Sequence, residues 1–198
     1  MLCLITNREI IKNGTFKEVI EKAVAGGVDR VILREKDLIY DELLPIAQET
    51  RKITKENNAS LIINRNLEVA KAVDADGFHI GFHDLITAKP DWQGLLGVSI
   101  HSLEEAVLAE KNGADYLLAS HVYATDCKKG LAPRGISFIK EIKKYVNIPV
   151  IALGGIKLEN VGEVLSTGVD GIAVMSAIMA SESPYTAVKK FKCKMDTV

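Results

Sequence analysis

Short apolar runs alternate along this chain with longer stretches in which apolar residues recur at helical spacing. The runs Leu2 to Thr6, Val31 to Leu33, Leu61 to Ile63, Phe78 to Gly81, Leu95 to Ile100, Asp115 to Ala119, Pro149 to Leu153 and Gly171 to Met175 read as strands. The last two are β-branched, uncharged and brief, the pattern of parallel strands buried on both faces. Helical spacing covers Thr15 to Ala25, closed by Gly26-Gly27, then Tyr40 to Asn57 and Leu67 to Val73. It returns after a Ser102 N-cap, over Ile136 to Tyr145, from about Leu158 to Ser166, and after Pro184. The segment His83 to Gly94, holding Pro90 and Trp92, shows no helical pattern, and Ser120 to Arg134 is the longest irregular piece. Strand and helix signals alternate without a linker, repeat or low-complexity segment. This order predicts a single (β/α)8 TIM barrel over residues 1–198 rather than a doubly wound sheet.

Composition narrows the functions open to such a barrel. A chain of 198 residues buries about 70% of its unfolded surface, and for a TIM barrel it is short, so its loops must be lean. With 25 basic and 26 acidic residues the net charge is −1, which gives no global attraction to nucleic acid or to an anionic membrane. Anion binding must then be local. Cys3, Cys127 and Cys193 are odd in number and lack ligand spacing, which speaks against a disulfide framework or a zinc site and for a reducing cytoplasm. The opening apolar hexamer is too short for a signal peptide or a membrane span. Homo-oligomerisation stays open.

Polar residues gather where strands end, the face on which TIM barrels place their chemistry. Gly154-Gly155 and Ser176-Ala177 follow the last two strands. They either make tight turns only or expose backbone N–H groups that cup a phosphate. Arg34-Glu35-Lys36-Asp37 leaves the second strand as a run of charges, the ordinary signature of a solvated turn. The loop from Ser120 to Gly130 is polar and basic enough to fold over an anion. Its His121 either moves a proton near neutral pH or is a structural histidine hydrogen-bonded beneath the loop, and His79 and His101 are similarly placed. Carboxylates are few: Glu35, Asp37, Asp84 and Asp126. A magnesium–diphosphate site asks for one or two of them, and Asp84 stands alone. Cys127, beside Lys128 and Lys129, has no evident partner base. Dinucleotide and P-loop fingerprints are absent.

Leu33-Arg34-Glu35-Lys36, His79-Ile80-Gly81, Gly97 to His101, Gly113 to Tyr116, Ile148 to Ile156 and Gly171 to Ile178 resemble, in order, motifs of the thiamin phosphate synthase/TenI superfamily. The resemblance implies a (β/α)8 barrel whose Gly154, Gly155, Ser176 and Ala177 hold a thiazole phosphate. Synthases of this family join a hydroxymethylpyrimidine diphosphate to that phosphate, and their pattern is incomplete here. Ile32 stands for a glutamine, Phe82 for another, and Arg65, in Ile63-Asn64-Arg65-Asn66, for the aspartate that binds magnesium. Thr125-Asp126-Cys127-Lys128 departs from the Thr-x-Thr-Lys diphosphate loop. By contrast, His101 to Val107 and His121 to Leu131 resemble the TenI branch of thiazole tautomerases.

That branch implies an isomerase that moves a proton within a carboxythiazole phosphate and so forms the aromatic ring. His121 would be its acid/base, Arg34 would pair with the carboxylate, and Lys36, Asn64, His101 and Lys128 would complete the substrate site. Metal and cofactor would both be absent. The resemblance leaves two alternatives: the magnesium-dependent synthase, and a non-catalytic regulatory barrel, for which the chain offers no DNA-binding element.

Overall fold

The computed structural model describes residues 1–125 and 130–197. Eight parallel strands close a barrel in chain order: β1 (Leu2–Ile5), β2 (Arg30–Leu33), β3 (Ser60–Asn64), β4 (Gly77–Gly81), β5 (Leu95–Ile100), β6 (Tyr116–Ser120), β7 (Val150–Leu153) and β8 (Gly171–Val174). The ring shuts where Leu2, Cys3 and Leu4 of β1 pair with Ile172, Ala173 and Val174 of β8. Around it lie α1 (Phe16–Gly26), α2 (Tyr40–Glu56), α3 (Leu67–Ala72), α4 (Phe82–Thr87), α5 (Leu103–Lys111), α6 (Gly135–Tyr145), α7 (Val161–Leu165), α8 (Ser176–Met179) and α9 (Pro184–Met195). Among the described residues no helix is long and apolar enough to cross a membrane.

Strand side chains alternate between two apolar environments. Leu2, Leu4, Val31, Leu33, Leu61, Ile63, Val98 and Ile100 face the helices in one continuous buried layer. Cys3, Ile5, Ile32, Ile62, Tyr116, Leu118, Ile151 and Ala173 pack together as a second cluster inside the barrel. Burial on both faces is why the strands read as nearly unbroken apolar runs. The same alternation carries Arg34, Asn64, Gly81, His101 and Ser120 to inward-facing positions at the C-terminal ends of their strands.

Boundaries agree with the sequence reading to within a residue or two for most elements, and the Ser102 cap is present, its hydroxyl accepting the Glu105 N–H at 3.0 Å. The exceptions are short elements. A helix, α4, occupies the start of the segment in which none was expected; Leu85 is its one buried residue, with Phe82 packed beside the core, so it lacks the repeated apolar positions that made the equally short α3 legible. The helix expected from Leu158 begins at Val161, after a turn in which the Asn160 side chain accepts the Lys157 N–H at 2.8 Å. A 3-10 turn at Arg8–Ile10 and the four-residue α8 were not foreseen.

A polar layer seals the barrel beneath its mouth. His79 Nδ1 lies 2.9 Å from the Tyr116 hydroxyl and Nε2 lies 2.8 Å from Ser99 Oγ. Burial, followed by the Arg30 and Arg34 charges, lowers the His79 pKa to about 3, so the ring stays neutral. Gly97 makes room for this layer, because a Cβ there would overlap the Tyr116 ring and His79 Nδ1. Below, the Arg30 guanidinium sits 4.6 Å over the Tyr116 ring, and burial pushes the Cys3 thiol up to about 12.

Candidate active site

A cavity of about 1390 Å³ opens at the C-terminal end of the barrel. Arg34, Lys36, Asn64, His101, His121, Gly154, Gly155, Ser176 and Ala177 all line it, so topology gathers nearly every residue singled out in the sequence. Lys128 lies outside the described residues, as do Asp126, Cys127 and Lys129. Sequence reasoning missed the further cations Lys12 and Lys157 and the carboxylates Glu9 and Glu159, which line the same cavity after β1 and β7. Their loops carry no motif. The mouth is nonetheless biased toward positive charge in a chain whose net charge is −1.

The charge run after β2 is more than a solvated turn. Glu35 is buried and points away from the cavity, accepting the Thr6 hydroxyl at 2.6 Å, the Arg8 N–H at 3.0 Å and the Arg8 guanidinium at 3.2 Å. The Thr6 oxygen in turn accepts the Arg34 N–H at 2.9 Å. This latch ties the end of β1 to the end of β2 and fixes the peptide from which Arg34 projects. Asp37 completes it outside, where hydrogen bonds from Arg8 lower its pKa to about 2. The four charges thus divide between two functions, with Arg34 and Lys36 lining the cavity and Glu35 and Asp37 holding the turn.

On the neighbouring strand the Asn64 amide donates to the His79 carbonyl at 3.1 Å. Arg65 follows with φ +67, in the left-handed region, and its N–H donates to the same carbonyl at 2.9 Å. That turn sends the Arg65 side chain along the rim, where its guanidinium pairs with Asp84 of α4 at 3.3 Å. Lys36 feels this neighbourhood: the Arg34 charge first, then burial, then Arg65 lower its pKa.

Across the mouth, Gly154 has φ +105 and Gly155 φ +65. A Cβ on Gly155 would lie 2.5 Å from the Ala124 carbonyl oxygen and 2.8 Å from Tyr123 Cβ. The Gly154 carbonyl accepts the Tyr123 N–H at 3.0 Å, and the Asn160 side chain donates to the Gly155 carbonyl at 3.0 Å. The glycines therefore make a tight turn and also let the loop after β6 sit directly on their backbone, while still lining the cavity. His121 is buried under that loop, with Nε2 3.4 Å from the Leu131 carbonyl oxygen, as expected for a histidine hydrogen-bonded beneath the loop. His101 is more open, its Nδ1 3.6 Å from Glu105 and its Nε2 3.4 Å from the Ser120 hydroxyl.

The family resemblance raises a magnesium ion as a possible ligand of the rim, and the residues present do not fit one. Asp84, the carboxylate left at that position, already faces a guanidinium. A dication on Asp84 would have to displace, or stand within a few ångströms of, a side chain that carries permanent positive charge. Among the described residues no group of three or more His, Cys, Asp or Glu side chains is placed to hold a metal ion.

Comparison with known proteins bears on the whole chain. The family model described as thiamine monophosphate synthase matches residues 2–178. A thiamine-phosphate synthase of Clostridium tetani is 42% identical over 193 residues, covering 96% of this chain and 92% of that protein. The enzyme of the same name from Methanospirillum hungatei is 40% identical over 96% of this chain and 95% of its own length. Among solved structures, a thiamine phosphate pyrophosphorylase from Pyrococcus furiosus superposes with a TM-score of 0.86 at 35% identity, covering 99% of this chain and 95% of that one.

These relatives correct the isomerase expected from the TenI-like segments. Relatives matching along the whole chain are thiamine-phosphate synthases or a thiamine phosphate pyrophosphorylase by name, whereas the tautomerase reading rested on two local stretches, His101 to Val107 and His121 to Leu131. The structure supplies a physical reason for the latter stretch's misleading weight. Its described residues are occupied in packing on Gly154 and Gly155 and in covering His121, requirements of the barrel's roof that do not discriminate between chemistries. The proton-transfer role given to His121 belonged to that reading.

Proposed function

Since the chain belongs to the thiamine monophosphate synthase family, we propose that it is a transferase that joins a hydroxymethylpyrimidine diphosphate to a thiazole phosphate. The carbon–oxygen bond to the diphosphate breaks, the thiazole nitrogen bonds to the carbon released, and pyrophosphate leaves. The observation that carries this reading is the cationic wall of Arg34, Lys36 and Arg65, set across one cavity from Gly154, Gly155, Ser176 and Ala177. Two anionic groups, one on each substrate, have a place at opposite sides of a single mouth.

In this reading Arg34 and Lys36 receive the diphosphate. The planar guanidinium gives two parallel hydrogen bonds to phosphate oxygens, and the ammonium adds a mobile point charge. Their charge stabilises the leaving pyrophosphate more than the bound ester, because negative charge grows on the bridging oxygen as the bond breaks. The small residues after β7 and β8 orient the thiazole phosphate, whose ring nitrogen then faces the reacting carbon. Ile5, Ile32, Leu118 and Ala173 line the floor of the cavity together with neutral His79, so the surface facing the reacting centre carries no charge of its own. No proton need be taken from either substrate carbon, so His121 serves by packing. No step here runs through a metal ion. We place the reaction in the cytoplasm, which the cysteine pattern favours.

The reading is tested by supplying both substrates and following thiamine phosphate. Arg34→Ala should weaken pyrophosphate binding and lower turnover by at least tenfold, and Arg34→Lys should recover only part of each. Kinetics unchanged in the alanine protein would remove Arg34 from the site.

A further inference from the structure

We propose, building on the transferase reading, that the guanidinium of Arg65 takes the place of a divalent cation, so that Arg34, Lys36 and Arg65 bind a diphosphate directly. Three features of the rim carry this. First, Arg65 lines the main cavity and also a smaller pocket of about 430 Å³ beside it, in which Asp84 sits. It therefore reaches both the carboxylate and the ligand space, so that one positive charge serves the two. Second, guanidinium has five N–H donors in a plane, enough to keep its contact with Asp84 at 3.3 Å and to reach phosphate oxygens from the other edge. Third, the pair is exposed, 60% for the Arg65 side chain and 41% for Asp84, so it binds weakly and Arg65 can turn toward an anion at little cost.

Electrostatics points the same way. Arg34, Lys36 and Arg65 are close enough that the first and last both depress the Lys36 pKa, so the three cations repel one another. Asp84 offsets one of these cations, and Glu35 and Asp37 are committed to Arg8. An ionised diphosphate eases the repulsion among these cations and offers acceptors for their N–H groups, whereas a magnesium ion would add to that repulsion. The trade has a structural consequence: the cation is covalently part of the chain and is always present, so affinity for diphosphate is independent of metal supply.

The test is calorimetric titration of the whole protein with inorganic pyrophosphate, once in EDTA and once with magnesium. The expected result is that binding in EDTA is as tight as binding with magnesium, within about threefold. Arg65→Asn removes the charge and suits the positive φ, since asparagine tolerates that region. It should weaken binding in EDTA by tenfold or more. Arg65→Asp, which restores a second carboxylate beside Asp84, should bind pyrophosphate at least tenfold tighter with magnesium than without. Wild-type binding that appears only with magnesium overturns the proposal, as does an Arg65→Asn protein that binds like wild type. Metal-free pyrophosphate binding by a protein that forms no thiamine phosphate would support this site while refuting the transfer reaction. Product formation accompanied by strictly magnesium-dependent pyrophosphate binding would do the reverse.

Discussion

Replacing Glu35 with glutamine preserves the side chain's shape and removes its charge, which isolates the latch that fixes Arg34. One native carboxylate oxygen accepts the Thr6 hydroxyl at 2.6 Å, and the other accepts the Arg8 N–H at 3.0 Å and the Arg8 guanidinium at 3.2 Å. Glutamine has one carbonyl oxygen to offer. If it faces Arg8, its amide N–H2 faces Thr6, whose oxygen already accepts the Arg34 N–H at 2.9 Å. The Thr6 proton then has no acceptor. Charge-assisted bonds worth about 1.5–3 kcal/mol fall to about 1 kcal/mol, and the stranded hydroxyl proton costs about 1 kcal/mol more. The sum is a loss of about 2–3 kcal/mol, or a thermal midpoint lower by about 4–12 °C for a chain of this size. Urea and thermal unfolding measure it directly. Pyrophosphate affinity should fall with it, by about three- to tenfold, because the Arg34 peptide loses its anchor. A stability loss below about 1 kcal/mol with unchanged affinity would refute the latch.

Gly97→Ala should destabilise the protein by about 3 kcal/mol, since its methyl group overlaps a buried Tyr116 that has nowhere to move, and Tyr116→Leu in the same chain should restore part of the loss; a midpoint like that of wild type would mean the interior layer is looser than described. Gly155→Val meets both a positive φ and the Ala124 carbonyl, so the folded variant should bind thiazole phosphate at least tenfold more weakly by titration, and wild-type affinity would place the phosphate elsewhere. His79 gives a pH signature: its folded pKa of about 3 lies below the unfolded value near 6.5, so its contribution is complete above about pH 6.5 and is lost as pH falls toward 3. Unfolding at pH 5 should cost about 2 kcal/mol less than at pH 7 from this group, a difference that His79→Asn should remove; a slope shared equally by both proteins would contradict a neutral, sealed imidazole.

The barrel was legible because burial on both strand faces writes itself into composition, and helical spacing between Thr15 and Ala25 or Ile136 and Tyr145 is long enough to count. α4, with Leu85 as its one buried residue, and α8, a single turn, leave no such record, whereas α3 and α7 are as short as α4 but repeat their apolar positions. Most of the site was legible for a topological reason: a parallel barrel delivers every strand's C-terminal end to one place, so Arg34, Asn64, His101 and Gly154 met without any knowledge of their contacts. What each does there was less legible. Arg34 and Glu35 are adjacent in sequence and point to opposite sides of β2, a division that only the alternation of side chains along the strand could have signalled. Arg65 was noticed as a departure from a metal-binding pattern, and its ion pair with Asp84, nineteen positions away, emerges only from the packing of α4. The tautomerase reading failed because local motif likeness in the roof was weighed above the chain as a whole.

Pyrophosphate release, measured with purified protein and each substrate supplied alone and then together, bears most directly on the transferase reading. The expected result is pyrophosphate and thiamine phosphate formed in equal amounts when hydroxymethylpyrimidine diphosphate and thiazole phosphate are both present, and neither product when one is omitted. Folded protein that binds both substrates and releases no pyrophosphate, or releases it from the diphosphate alone at the same rate, would contradict the account.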